Sequence, residues 1–182
     1  NYDRLIEIYE ALAAHGYREV GQEYLQNVLD TAKQLDAYDS GRIYYYLGEY
    51  QKAYLALDEA RDKGGADSYL YLGRAYAATG DYNYASSVYN NYLSKQGPNA
   101  EIYNELGLCE MAKKEYQNAL AAFQAGKQIE GNSLMQTLCF NEIVAYEYLE
   151  DYQQAEVLMN AYLQNYPDDQ TAIREQQFLS TR

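Results

Sequence analysis

The sequence predicts an all-α chain: about eleven antiparallel helices stacked as hairpins in a single solenoid domain spanning residues 1–182. Three observations carry this. The first is a repeat. Residues 73–85 read GRAYAATGDYNYA, and residues 41–53, 32 positions earlier, read GRIYYYLGEYQKA, with Gly, Arg, Tyr, Gly, Tyr and Ala in register. Residues 107–119 keep the first Gly, the second Tyr and the Ala after a step of 34, and 143–155 keep Tyr146, Tyr152 and Ala155 after a step of 36. A 32–36-residue recurrence in helical text marks an array whose units bury their apolar faces on one another. The second observation is that only two prolines occur in 182 residues, so little interrupts helices. The third is a hydrophobic content of 48%, enough for a continuous core.

The elements follow in order. A first helix is expected over 2–14, where Leu5, Ile6, Ile8, Tyr9 and Leu12 fall near helical spacing. His15-Gly16-Tyr17 breaks it, with Gly16 as a left-handed stop. Val20, Tyr24, Val28 and Leu29 mark a second helix to about Lys33. This irregular pair, 1–33, suits a terminal cap that packs on one side only. Unit 34–65 pairs a helix over 35–47 with one striped by Ala53, Leu57 and Ala60, and Gly64-Gly65 ends it. Unit 66–99 opens with a helix over 67–79. Asp81 is placed to cap its partner, which carries Ala85, Tyr89, Tyr92 and Leu93 inside and stops at Gly97-Pro98. Unit 100–135 joins a helix over 100–112 to one from Tyr116 to about Ile129, striped by Ala119, Leu120 and Phe123. The slightly longer Gly131-Asn132-Ser133 connection accounts for the 36-residue step. Unit 136–167 contributes helices over 134–149 and 152–165, the second with Ala155, Leu158, Met159 and Tyr162 on one face. A more polar helix over 171–179, within 168–180, reads as a C-terminal cap.

These residues resemble the tetratricopeptide repeat family, whose units are two antiparallel helices in about 34 residues. The clearest unit matches through Tyr69, Leu72, Gly73, Tyr76, Tyr82, Ala85, Tyr89 and Gly97-Pro98. The next matches through Tyr103, Leu106, Gly107, Tyr116, Ala119 and Phe123. The one before matches through Gly41, Tyr44, Tyr50, Ala53 and Ala60, and the fourth through Tyr146, Tyr152, Ala155 and Pro167. The resemblance covers residues 35–167. It implies a right-handed α-α superhelix in which the first helix of each unit lines a concave face. Two positions depart from the pattern: Ile143 replaces the small residue of the first helix, and Glu110 replaces the aromatic held by Tyr44, Tyr76 and Tyr146. Gly41, Gly73 and Gly107, opposite Ala53, Ala85, Ala119 and Ala155, are expected to let paired helices approach closely.

Composition narrows function. The formal charge is −13, from 27 acidic and 14 basic side chains. A field of that sign repels phosphate backbones and anionic lipid, so no nucleic-acid partner is expected. No run of about 18 apolar residues exists, so no membrane insertion is expected. Tyr accounts for 24 aromatic residues against three Phe and no Trp, which suits half-buried positions whose hydroxyl reaches water or a partner. Cys109 and Cys139 lack metal spacing and fit either small buried hydrophobes or a bridge between neighbouring units. His15 is the only histidine and falls at a turn, and no Gly-rich phosphate loop follows a strand. A non-enzymatic chain with no cofactor and no metal is expected. The sequence begins at Asn1 rather than Met, which fits a cytoplasmic protein or one exported or lipid-anchored with its N-terminal signal removed.

The resemblance then points to a surface. With Tyr69, Leu72, Gly73 and Tyr76 facing the core, the opposite stripe of each first helix faces the groove. The candidate binding residues on it are Tyr38, Arg42, Tyr45, Tyr71, Arg74, Asn104, Leu108, Met111, Phe140, Asn141 and Val144. Arg42 and Arg74 share an offset in adjacent units and suit a carboxylate grip, or else internal pairing with Asp39, Asp67 or Glu105. Asn104 and Asn141 suit the backbone of an extended peptide. Some family members hold a chaperone's C-terminal carboxylate with several groove Lys, Arg and Asn. The third and fourth units offer no groove Lys or Arg, so that partner is not expected. Leu108, Met111, Phe140 and Val144 suit an apolar peptide or helix, or cover by the final helix. The expected function is a protein- or peptide-binding scaffold using the groove. The alternative is a structural or assembly segment of a larger cell-envelope or multiprotein complex, self-associating through its ends.

Overall fold

The computed structural model describes residues 2–182, and every regular element among them is an α-helix. In order these are α1 (Tyr2–Ala14), α2 (Arg18–Thr31), α3 (Ala37–Tyr46), α4 (Tyr50–Glu59), α5 (Gly65–Ala78) and α6 (Tyr82–Gln96). They continue with α7 (Ala100–Ala112), α8 (Tyr116–Lys127), α9 (Met135–Tyr148), α10 (Tyr152–Asn165) and α11 (Gln170–Leu179). The all-α hairpin architecture read from the repeat is the one observed. Helix ends lie within a few residues of the expected ones.

Local chemistry explains most ends. Side chains accept from free N–H groups at the starts of α3 (Asp36 from Asp39), α7 (Asn99 from Glu101 and Ile102), α10 (Asp151 from Gln154) and α11 (Asp169 from Thr171 and Ala172). Asp81 accepts from the Tyr84 N–H at 3.0 Å, the cap its position suggested. Gly16, with φ of 84°, closes α1 in the left-handed region. Gly65 departs from expectation, since it opens α5 rather than ending the preceding unit. The Gly64 N–H is taken up by the Ser68 hydroxyl at 3.0 Å, so a side-chain oxygen of the new helix satisfies this junction.

The chain forms two compact units, one up to Val88 and one from Tyr89 onward, with the boundary inside α6. In the first, α1 packs on α2, α3 on α4 and α4 on α5. Leu5, Ile6, Tyr9, Leu25 and Ile43 form one core cluster, flanked by Val28, Leu35 and Tyr46. In the second, α7 packs on α8, α8 on α9, α9 on α10 and α10 on α11. One core there joins Ala119, Leu120, Phe123, Leu138 and Ala145. The other joins Ile143, Ala155, Met159, Tyr162, Ala172 and Leu179. Ile143 is fully buried, so the larger side chain at the small-residue position is absorbed by the core. Buried Glu110, in the aromatic position, pairs with Lys113 at 2.7 Å. Cys109 and Cys139 are both free thiols.

The small residue of the first helix has a measurable function at Gly107. A Cβ placed there would lie 2.6 and 2.7 Å from the Phe123 Cδ1 and Cζ atoms, far inside van der Waals contact. Phe123 is itself fully buried and has no free direction in which to retreat. Replacing Gly107 by Ala should therefore lower unfolding free energy by about 1–3 kcal/mol. Urea denaturation followed by circular dichroism would check this, and an unchanged midpoint would refute it.

Candidate functional site

In the first unit, α3 and α5 carry Tyr38, Arg42, Tyr45, Tyr71 and Arg74. Arg42 is buried, with 6% of its surface exposed. Its guanidinium donates to Asp3 at 2.8 Å and to Asp39, and stands 4.3 Å from the centroid of the Tyr38 ring. Burial alone would lower the guanidinium pKa, but the bonds to Asp3 and Asp39 outweigh it and raise the pKa above the ordinary value. The internal partner Asp39 was legible from its spacing, whereas Asp3 comes from α1. Arg74 is half-buried on α5. Tyr45 and Tyr71 join an aromatic cluster with Tyr46, with centroids 5.3–5.8 Å apart. Tyr46, outside the expected set, is its hub: its hydroxyl bonds the Glu10 carboxylate and lies 2.9 Å from the Tyr71 hydroxyl. Burial and the Glu10 bond hold the Tyr46 phenol far above its ordinary pKa, so it stays neutral.

In the second unit the structure brings Asn104 of α7 and Asn141 of α9 into direct contact. The Asn141 amide donates to the Asn104 carbonyl at 2.9 Å. Neither side chain makes a further hydrogen bond among the described residues. The amide N–H groups of Asn104 and the carbonyl of Asn141 are left over. Asn141 and Phe140 line an open recess of about 310 Å³ together with Gln136, Thr137, Tyr162, Asp169 and Thr171. The Phe140 ring meets Tyr162 edge-on at 5.7 Å. The Tyr162 hydroxyl accepts from Gln136 at 3.1 Å and donates to Asp169 at 2.7 Å, which ties three of the lining residues together. Leu108 is 43% exposed. Met111 packs back onto the Phe123 cluster, and Val144 is half-buried.

Sequence reasoning missed Gln136, Tyr162 and Asp169, because they belong to different helices and share no repeat offset with the groove stripe. It also missed Glu142, which is buried against Lys127 and accepts from Gln124 at 2.9 Å. Glu147 lies on the groove stripe one turn beyond Val144. Its Oε1 is shut from solvent without a hydrogen-bond partner. Burial, with a smaller contribution from the Glu175 charge, pushes its carboxyl up to about 7.

With this geometry in hand, comparison with known proteins is direct. The tetratricopeptide repeat model matches residues 38–85 and 72–132, together more than half of the chain. The chain belongs to the tetratricopeptide repeat family. No curated protein sequence matches it. Among solved structures it is similar to TTC0263, a thermophilic tetratricopeptide repeat protein of Thermus thermophilus, with 16% identity, full coverage of both chains and a TM-score of 0.74. A tetratricopeptide repeat protein from Parabacteroides merdae matches with 18% identity, coverage of 98% of this chain and 72% of that one, and a TM-score of 0.69. YrrB, a tetratricopeptide repeat protein with an unusual peptide-binding site, matches with 18% identity, coverage of 95% and 90%, and a TM-score of 0.66. Proteins of this family mediate protein–protein interactions and are typically non-enzymatic. No helix among the described residues is long and apolar enough to cross a membrane.

Two consequences can be measured. Arg42→Gln removes the positive charge between two carboxylates and should cost about 1–3 kcal/mol in thermal or urea unfolding, and a neutral result would show that the pairing adds nothing. For Glu147, the folded pKa of about 7 lies above the unfolded carboxyl value of roughly 4.3. The folded state therefore binds the proton more tightly. That stabilisation is complete below the unfolded value and is lost as pH rises through 7. Between about pH 4.3 and 7 the wild type should lose stability relative to Glu147→Gln, and the difference should level off above about pH 8. Melting curves that stay parallel across that range would contradict this.

Proposed function

We propose that this chain is a non-enzymatic binding module that holds an extended segment of a partner protein on the face bearing Asn104 and Asn141. The observation that carries the reading is the asparagine pair. One peptide unit of an extended chain presents one N–H and one C=O, and the pair offers the complementary carbonyl and N–H. The exposed Leu108 and the Phe140 recess lie on the same two helices and supply apolar contact for the flanking side chains. Arg42 is committed to Asp3 and Asp39, which favours backbone recognition over a carboxylate grip in the first unit. YrrB, a fold relative with a peptide-binding site, supports peptide recognition as the mode.

The test is peptide-array and pull-down binding with the intact chain, an Asn104→Ala/Asn141→Ala variant and an Arg42→Glu/Arg74→Glu variant, each shown to keep native helicity. The asparagine variant should lose at least about tenfold in affinity, the equivalent of one or two hydrogen bonds, while the arginine variant retains binding. Loss only in the arginine variant would place the site on the first unit. Equal binding by all three would place it on outer faces. Absence of any partner, with self-association by light scattering, would replace this reading with the assembly one.

A further inference from the structure

A second recess, of about 370 Å³, lies where the turn between α9 and α10 meets α11. Its walls are the rings of Tyr148, Tyr152 and Phe178, and its rim carries Glu147 and Glu150. Tyr148 and Phe178 are 57% and 40% exposed, so a partner side chain can reach the recess. Glu147 adds a carboxylate oxygen that is desolvated yet unpartnered, an arrangement that costs free energy until a donor arrives. Glu150 occupies a left-handed turn position held by Gly48, Gly80 and Lys114 in the other repeats, so the acidic rim is particular to this one. The chain itself shows what the rings accept. The Arg182 guanidinium carbon lies 4.4 Å from the Phe178 centroid and 5.6 Å from that of Tyr152. A cation over a ring face is drawn to its negative quadrupole, and carboxylates at the rim add charge-assisted bonds.

We propose that this recess is a binding site for a cationic side chain, arginine or lysine, from a partner protein, which displaces Arg182 from the Phe178 and Tyr152 rings. The aromatic walls take the alkyl stem and the charged head, and Glu147 and Glu150 take the donors. The net charge of −13 steers such a partner towards the chain. This site shares no residue with the Asn104–Asn141 face, so the two readings stand or fall separately.

The probe is N-acetyl-arginine amide, titrated into the nitrogen-15-labelled full chain at low salt, with N-acetyl-citrulline amide as its neutral isostere. Saturable shifts confined to residues 147–152 and around 178 are expected with arginine and not with citrulline. Glu147→Gln should weaken binding by about fivefold, and Arg182→Ala should strengthen it by about twofold. Glu147 faces Glu175 from α11, and shares the recess with Glu150 from the turn and with the side chains of Tyr148 and Tyr152. Burial pushes the Glu147 carboxyl up to about 7, so arginine should bind more tightly at pH 8 than at pH 6, and that difference should vanish in Glu147→Gln. Glu19→Gln, which makes the same charge change on α2, is the control. If arginine and citrulline give equal shifts, or if both glutamate variants weaken binding alike, the proposal is overturned. Glu150→Gln provides the same reading should Glu147→Gln fail to give a native spectrum.

Discussion

Close approach between paired helices is the constraint on which the rest of this structure depends. Gly107 leaves room for the Phe123 ring where even a methyl group would collide. Ala53, Ala85, Ala119 and Ala155, at the matching position of each second helix, are completely shielded from solvent. Helices held this near bury one stripe of each first helix in the hairpin. The opposite stripe is then left to present whatever side chains it carries, because a helix has only so much perimeter. Asn104 and Asn141 come within hydrogen-bond distance because their helices are spaced by this packing.

Charge follows a comparable constraint. With 27 acidic and 14 basic side chains, cations are scarce, and several are committed to the interior. Arg42 lies between Asp3 and Asp39, Lys113 pairs with the buried Glu110, and Lys127 with the buried Glu142. A buried charge without a partner costs far more than a paired one, so the buried Arg42, Glu110 and Glu142 each have an oppositely charged partner. Glu147 is the exception: its inner oxygen has no donor and its proton affinity rises to match. The surface left outside these pairs is strongly acidic, which suits cationic partners and repels anionic ones.

The two proposed surfaces use different chemistry on one scaffold. The asparagine face, in the proposed reading, would recognise what every extended peptide has, a backbone donor and acceptor, and so would carry little sequence preference of its own. The Tyr148–Tyr152–Phe178 recess, in the proposal, would read one side-chain type through charge and ring faces. Tyrosine serves both units because a phenol packs like an apolar ring while its hydroxyl still bonds, as the Glu10–Tyr46–Tyr71 chain and the Gln136–Tyr162–Asp169 chain show.

The sequence by itself determined the helices and their pairing into hairpins. Those properties follow from periodic spacing and from glycine and alanine at fixed offsets, and they are local to each repeat. It also marked Asp39 as a partner within reach of Arg42, three residues away on one helix face. Only the tertiary structure decided which stripe residues are occupied and which are available. Asp3 reaches Arg42 from another helix, Tyr46 bridges to Glu10 across 36 positions, and Asn104 meets Asn141 across 37. Such contacts depend on the spacing and rotation of neighbouring hairpins. Those come from the fit of whole buried faces, with Phe123 against Gly107 and Ile143 among Ala155 and Met159, and no single repeat encodes them.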